Sequence, residues 1–200
     1  MVASSMTEKK HAIIIYPTDT VWGIGASIFD NISNRLIRSI KKNEQSKPLS
    51  ILFQSYDQFK RNINIPSELK IDLLSIYSLG ATALVPISWI VGEISPEIYL
   101  SSKFVGARIA SNELQVKLCK LTNDPITTTS LNLKNEEPIL TEADALDFQN
   151  KYIINSSFIS SLESPPSGIP STVIMFESNL KMKIIREGSN CLEIEHSLGL

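Results

Sequence analysis

The chain predicts an α/β layer structure. Short apolar, β-rich runs alternate with amphipathic helical patterns along its length, and this alternation is typical of sheets packed against helices. At 200 residues, 42% hydrophobic and 20% charged, the chain is long enough to bury a substantial core. We therefore predict one domain over residues 1–200.

Seven apolar runs predict the strands of this domain. They are Ala12 to Ile15, Leu49 to Phe53, Ala81 to Val85, Phe104 to Ile109, Ile126 to Thr129, Thr172 to Phe176 and Met182 to Ile185. Ser156 to Pro170 is rich in serine and proline, which predicts an exposed loop.

Four further segments predict helices between these strands. The first two carry apolar stripes at helical spacing, formed by Ile32, Leu36, Ile37 and Ile40, and by Leu69, Leu73, Leu74 and Tyr77. The third begins with Asn112 and Gln115, which resemble a capping box, and continues through Leu114, Leu118 and Leu121. Thr141 to Phe148 predicts a short fourth helix.

The most informative motif follows the first predicted strand. Residues Tyr16 to Gly25 read YPTDTVWGIG, which predicts a ligand-binding loop between a strand and a helix. Pro17 restricts the backbone, whereas Gly23 and Gly25 permit positive φ and close backbone approach. The TDT segment of the motif supplies two hydroxyls and a carboxylate for a polar ligand. The alternative is a turn whose side chains bond only to their own backbone.

Further motifs follow in the rest of the chain. Lys41 to Leu49 reads KKNEQSKPL and ends the first helical segment, Val105 to Ala110 reads VGARIA, and Thr128 to Asn132 reads TTSLN. Gly168 to Ile174 reads GIPSTVI and is followed by Arg186-Glu-Gly188. Together with YPTDTVWGIG, these motifs resemble, in the same order, those of the YrdC family, the threonylcarbamoyl-AMP synthases. The resemblance extends from about Ala12 to Gly188.

The resemblance implies a single YrdC-like domain with a twisted mixed sheet, flanking helices and a central cleft. It also implies condensation of L-threonine, bicarbonate and ATP, with Mg²⁺ shielding the phosphates. The amino acid would be held by Thr18, Thr20, Arg108 and Thr128. Lys41 would be catalytic, and the nucleotide would be held by Lys41, Lys47, Ser130, Asn132, Ser171 and Arg186. The product would pass to a partner enzyme that modifies tRNA, and that partner would make most of the tRNA contacts.

Several positions depart from the family pattern. Asn43 stands where the family has the arginine of its Lys-x-Arg motif, and Glu44 replaces the following proline. Trp22 replaces a tyrosine, Ala83 a threonine, and Lys134 a serine. Asn43, Ala83 and Lys134 favour one alternative, a nucleotide-binding relative that is non-catalytic or differently specific. A second alternative is an RNA-binding module, which the acidic balance of the chain opposes.

Each candidate also has an alternative structural role. Lys41 and Lys47 would be solvated charges near a helix end, and Ser130 with Asn132 would end a strand in a turn. Arg108 lies in an apolar run, where an unpaired charge is costly, so it would have either an internal salt bridge or an anionic ligand. Trp22 would belong to the core or to a substrate wall.

The composition excludes other chemistry. The only histidines are His11 and His196, near opposite ends of the chain, which argues against a histidine triad or a histidine-rich metal site. Cys119 and Cys191 lack CxxC spacing and are expected to be reduced thiols. The net charge of −2 and a pI of about 5.8 predict weak or no direct tRNA binding. With neither a signal-peptide core nor a membrane-length apolar run, we expect a cytoplasmic protein.

Overall fold

The computed structural model describes residues 12–41, 47–69, 72–177 and 181–199. Its strands are β1 (Ile13–Pro17), β2 (Trp22–Ala26), β3 (Ser50–Phe53), β4 (Thr82–Pro86), β5 (Phe104–Ile109), β6 (Ile126–Ser130), β7 (Ser157–Phe158), β8 (Val173–Phe176) and β9 (Met182–Arg186). Its helices are α1 (Asn31–Ile40), α2 (Tyr56–Asn62), α3 (Leu73–Ser78), α4 (Asn112–Leu118), α5 (Glu142–Tyr152) and α6 (Cys191–Leu198). A short 3-10 turn spans Ile87–Trp89.

The described strands form one mixed sheet in the order β7-β1-β2-β6-β3-β5-β4-β8-β9. The pairs β1/β7, β3/β5 and β4/β8 are parallel, and the other neighbours are antiparallel. Strand β6, late in the chain, lies between β2 and β3 and joins the first hairpin to the rest of the sheet. The prediction of an α/β domain with a mixed sheet is therefore confirmed.

The two faces of the sheet support cores of different size. Ile51 and Phe53 point into the larger core, which also contains Trp22 and Phe59. Leu52, between them on the same strand, points to the other face and packs in a smaller cluster with Leu114 of α4. This alternation follows from the two-residue period of a strand.

Helix α1 buries a different face from the one that its apolar stripe suggested. Ile32 and Leu36 are 61% and 46% exposed, whereas Asn34 and Arg38 are buried beside Ile37. Asn34 can be buried because its amide is satisfied. Its Nδ2 donates to the carbonyl oxygens of residues 27 and 30 at 2.9 and 2.8 Å, and its Oδ1 accepts from the hydroxyl of residue 127 at 2.7 Å.

The YPTDTVWGIG motif forms a hairpin rather than a strand-to-helix loop. Strands β1 and β2 pair antiparallel, with Pro17 opposite Trp22, and α1 begins only after β2 ends. Gly23 and Gly25 do not adopt positive φ, so that expectation was wrong. The expected close approach is present, because a Cβ on Gly25 would overlap the carbonyl oxygen of Thr127 on β6. Trp22 is fully buried and stacks on Phe158, which makes it a core residue.

Other boundaries also differ from the sequence predictions. Ser111, not Asn112, caps α4, and its hydroxyl accepts from the backbone N–H of Leu114. Leu74 and Leu121 lie on exposed surfaces although they belonged to apolar stripes. Helices α2 and α6 and strands β2 and β7 were not predicted. No described helix has the length and apolar content needed to cross a bilayer.

We expect Asn34→Ala to lower the free energy of unfolding by about 3 kcal/mol, because it leaves buried hydrogen-bonding groups without partners. Urea unfolding followed by circular dichroism measures this change. The exposed Asn64 provides a matched control, and Asn64→Ala should change stability by no more than about 0.5 kcal/mol. Equal effects of the two substitutions would show that the buried amide is not a structural anchor.

Candidate functional site

The predicted site residues on the central strands project from one face of the sheet. Ser50 lies opposite Thr128, and Leu52 lies opposite Arg108. Alternate residues of a strand share a face, so Ser50 and Leu52 of β3 point to the same side of the sheet. Their partners Thr128 and Arg108 therefore point to that side as well, and so does Ser130, two residues after Thr128. Tyr16 on β1 pairs with Gly23 on β2, and Gly23 pairs with Ser130 on β6. Tyr16 therefore lies on the same face of the sheet as Ser130. The face is the one that carries the smaller apolar cluster.

Arg108 forms an ion pair with the hairpin turn. Its Nη2 lies 2.6 Å from both carboxylate oxygens of Asp19, and its Nη1 donates to the Thr20 hydroxyl at 3.3 Å. The Arg108 side chain is 11% exposed, whereas the Asp19 side chain is 51% exposed. The cation is thus nearly enclosed, and its partner faces solvent.

The hydroxyl of Thr18 organises the turn itself. It donates to the Val21 carbonyl at 2.7 Å and accepts from the N–H groups of Thr20 and Val21 at 3.2 Å. It also lies 3.0 Å from the Thr20 hydroxyl, so the two threonines form a short chain that leads to Arg108. The local-turn alternative therefore describes Thr18 in this structure, and Thr20 is the residue that faces the arginine.

A second guanidinium lies close to Arg108. Arg186 donates through Nη2 to the Ser171 carbonyl at 2.7 Å and to the Ser171 hydroxyl at 3.3 Å, and that hydroxyl lies 2.8 Å from the Thr82 hydroxyl. Burial lowers the pKa of Arg186, and the charge of Arg108 lowers it further. Two cations and one carboxylate, that of Asp19, leave net positive charge in this cluster, which suits an anionic ligand.

Tyr16 also belongs to this cluster, although it was not predicted as a site residue. The ring is fully buried, and its hydroxyl donates to the Thr127 carbonyl at 3.4 Å. Burial raises the pKa of Tyr16, opposed by a hydrogen bond to Thr128 and by the charge of Arg108, so the hydroxyl stays neutral. The signal available in the sequence was the position of Tyr16 directly before the motif's proline.

Lys41 forms the second cluster, at the end of β6. Its Nζ donates to the carbonyls of Ser130 and Asn132 at 2.8 and 2.9 Å, to the Ser130 hydroxyl at 3.3 Å, and to the Asn132 side-chain oxygen. Burial and the nearby charge of Lys47 lower the pKa of Lys41 to about 8, whereas Glu136 acts in the opposite direction. Lys41 is therefore a positioned charge, not a solvated one.

Arg38 cannot replace the arginine that the family has at the position of Asn43. Its guanidinium is buried and donates to the carbonyls of Lys47 and Ile98, at 3.2 and 3.4 Å, and also to the carbonyl of Glu97. These bonds hold the chain that enters β3. Lys42, Asn43 and Glu44 lie outside the described residues.

The described residues contain no group of three or more histidine, cysteine, aspartate or glutamate side chains that could hold a metal ion.

The family model for Sua5, YciO and YrdC, described as "Telomere recombination", matches residues 8–188. The chain belongs to this family. Its membership agrees with the observed sheet and with the motifs that the sheet brings together.

Curated relatives include the threonylcarbamoyl-AMP synthase of Buchnera aphidicola, which is 28% identical over 163 residues, covering 78% of this chain and 83% of the relative. The mouse threonylcarbamoyl-AMP synthase is 25% identical over 181 residues, covering 88% of this chain and 62% of the relative. The chain thus spans less than two thirds of the mouse protein.

The crystal structure of P. abyssi Sua5 complexed with L-threonine superimposes with a TM-score of 0.77 at 22% identity. The match covers 94% of this chain and 54% of the Sua5 chain. At this identity, the similarity establishes the common fold.

We expect the Lys41 amine to titrate near pH 8. The pKa of Lys41 in the folded state lies below the ordinary value of 10.5. The contribution of Lys41 to the free energy of unfolding is therefore complete above about pH 10.5 and is lost as the pH falls through about 8. Amine labelling followed by mass spectrometry should show the Lys41 peptide becoming reactive as the pH rises through 8, well before N-acetyl-lysine amide does. A midpoint equal to that of the model compound would contradict the burial of the ammonium.

Proposed function

We propose that the chain synthesises threonylcarbamoyl-AMP from L-threonine, bicarbonate and ATP. The observation that carries this proposal is the placement of two cation clusters on one face of the sheet. One contains Arg108, which projects from the same face as Thr128, and the other contains Lys41, which donates to the Ser130 hydroxyl. An amino acid and a nucleotide bound at neighbouring clusters would react without diffusing apart.

The arginine cluster suits the amino acid. The carboxylate of threonine would pair with Arg108 in a charge-assisted contact, and the Thr20 and Thr128 hydroxyls would bond to its polar groups. Thr18 would act through Thr20, since its own hydroxyl serves the turn. The neutral Tyr16 hydroxyl would help to fix Thr128.

The lysine cluster suits the nucleotide phosphates. With its pKa lowered to about 8, Lys41 stays mostly protonated at pH 7 and provides a partly buried point charge. Ser130 and Asn132 already contact this ammonium and would bond to the nucleotide beside it. Arg186 and Ser171 would contribute from β9 and the segment before β8, and Lys47 would add charge near Lys41.

The chemistry then requires charge stabilisation more than proton transfer. The threonine ammonium would lose a proton to solvent, and the amine would condense with bicarbonate to a carbamate with loss of water. A carbamate oxygen would then attack the α-phosphorus of ATP, and the bond from that phosphorus to the pyrophosphate leaving group would break. The cations would neutralise charge that accumulates on the phosphate oxygens. Mg²⁺ bound to ATP would shield the charge of the phosphates.

In this proposal, a tRNA-modifying threonylcarbamoyl transferase consumes the product. Net charge of −2 favours a division of labour in which that partner binds the tRNA. The cytoplasmic location stays a prediction from the sequence.

Incubation of the purified chain with ATP, bicarbonate, Mg²⁺ and labelled L-threonine tests the proposal. We expect pyrophosphate and a labelled adenylate, each dependent on all three substrates. ATP binding without adenylate would favour the non-catalytic relative. Salt-sensitive RNA binding without ATP binding would favour the RNA-binding module.

Arg108→Ala should raise the threonine concentration needed for half-maximal rate by about ten- to a hundredfold, because a carboxylate loses its counter-charge. The ATP requirement should change much less. Arg35, which is exposed and pairs with Glu97, offers a matched control in Arg35→Ala. A loss of the same size for both substrates, accompanied by a lower melting temperature, would instead assign Arg108 a structural role.

Asn43→Arg should tighten ATP binding or speed adenylate formation by about ten- to a hundredfold, which is the effect expected of one charge-assisted hydrogen bond. Because Arg38 is committed to backbone carbonyls, we do not expect it to mask the gain. Steady-state kinetics measure the effect, with Asn64→Arg as a control for added charge. Unchanged kinetics would point to Lys42 as the substitute, and Lys42→Ala should then reduce wild-type activity.

A further inference from the structure

The Arg108–Asp19 pair has the charge pattern of a receptor for a zwitterion. Resting on the proposed function, we infer that Asp19 is the residue that selects an amino acid by its α-ammonium group. In this structure, Asp19 neutralises Arg108. When an amino acid binds, its carboxylate replaces Asp19 on the guanidinium, and the released Asp19 carboxylate takes the ammonium.

The two partners differ in freedom of movement. Arg108 projects from a central strand and is 11% exposed, so its guanidinium is held in place. Asp19 lies in a turn and its side chain is 51% exposed. The carboxylate is therefore the group that can rotate away, and the cation is the group that stays.

The backbone of the turn is pinned while the Asp19 side chain is not. The Asp19 carbonyl accepts from the Ser167 N–H at 3.0 Å, and the Thr20 carbonyl accepts from the Gly168 N–H at 2.8 Å. Rotation of Asp19 about its own side-chain bonds would move the carboxylate without moving the turn. Asp19 would thus stay within reach of a ligand held by Arg108.

The backbone of Gly80 lies beside the Arg108–Asp19 pair. Gly80 has a φ of +76°, and a Cβ there would lie 2.9 Å from the Asp19 Oδ2 and 3.5 Å from the Arg108 Nη2. A side chain at this position would crowd the Asp19 carboxylate and touch the Arg108 guanidinium. The glycine leaves both groups free of that contact and so leaves the Asp19 carboxylate its room to rotate.

The local charge balance favours exchange over simple addition. Arg186 lies near Arg108, and the carboxylate of Asp19 is bonded to Arg108. An anion alone would displace Asp19 and leave its carboxylate without a partner. A zwitterion supplies both charges, so Arg108 and Asp19 each keep an oppositely charged partner after binding.

Two other roles for Asp19 predict different behaviour. If Asp19 only orients Arg108, its loss should weaken every carboxylate ligand equally. If it only competes for Arg108, its loss should strengthen every carboxylate ligand equally. Ammonium selection alone changes the ratio between ligands that have and lack the amine.

The test is calorimetric titration of the full chain with L-threonine and with (R)-3-hydroxybutanoate, which lacks the amine, at a saturating concentration of a non-hydrolysable ATP analogue and Mg²⁺. Wild type should bind threonine at least about tenfold more tightly. Asp19→Asn should weaken threonine by about ten- to a hundredfold while leaving 3-hydroxybutanoate unchanged or tighter. Asp19→Glu, which keeps the carboxylate, should retain the preference for threonine.

Asp57→Asn, on the exposed surface of α2, is the matched control and should behave as wild type. A preference for threonine that survives Asp19→Asn overturns the inference and leaves the proposed function standing. Equal weakening or equal strengthening of both ligands by Asp19→Asn also overturns it. Failure of wild type to bind threonine at all would reject both the inference and the proposed function.

Discussion

The site is organised by a positive charge that the sheet itself holds. Arg108 projects from a strand in the middle of the sheet, where solvation is poor and an unpaired guanidinium would be strongly unfavourable. The hairpin between β1 and β2 has to bring Asp19 to it. Arg186 places a second cation nearby, bonded to a carbonyl and a hydroxyl rather than to a carboxylate. The cluster therefore has net positive charge in the folded protein.

Lys41 ties the second cluster to the fold in a different way. The residue ends α1, and its ammonium bonds to backbone carbonyls of β6 and the residues after it. The cation is thereby fixed relative to Ser130. Its lowered pKa is the cost of that partial burial.

The long segment between β7 and β8 stabilises the arginine cluster from outside the sheet. Lys117 of α4 donates to the Ser161 carbonyl at 2.9 Å, and Glu142 of α5 accepts from the Ser161 N–H at 2.9 Å. The segment then reaches the hairpin turn, where Ser167 and Gly168 donate to its carbonyls. The position of Asp19 thus depends on two helices that contribute no charge to the cluster.

The sequence by itself determined the strands with strong apolar runs, the α/β class, and the residue types that surround the site. Apolar runs such as Phe104 to Ile109 predict strands because their local pattern suffices. Strand β2 was missed because its two glycines, Gly23 and Gly25, imitate a loop. Only the tertiary structure decided that they are needed for close packing against β6 and the Tyr16 ring.

The tertiary structure also decided which faces and charges meet. Helix α1 turned a polar face inward because Asn34 found backbone partners that no periodicity could reveal. Arg108 and Asp19 are 89 residues apart in sequence, and nothing local predicts their contact. Periodicity reports how a segment exposes its own side chains. The partner of a buried charge depends on how distant strands are ordered in the sheet, and that order is a property of the whole fold.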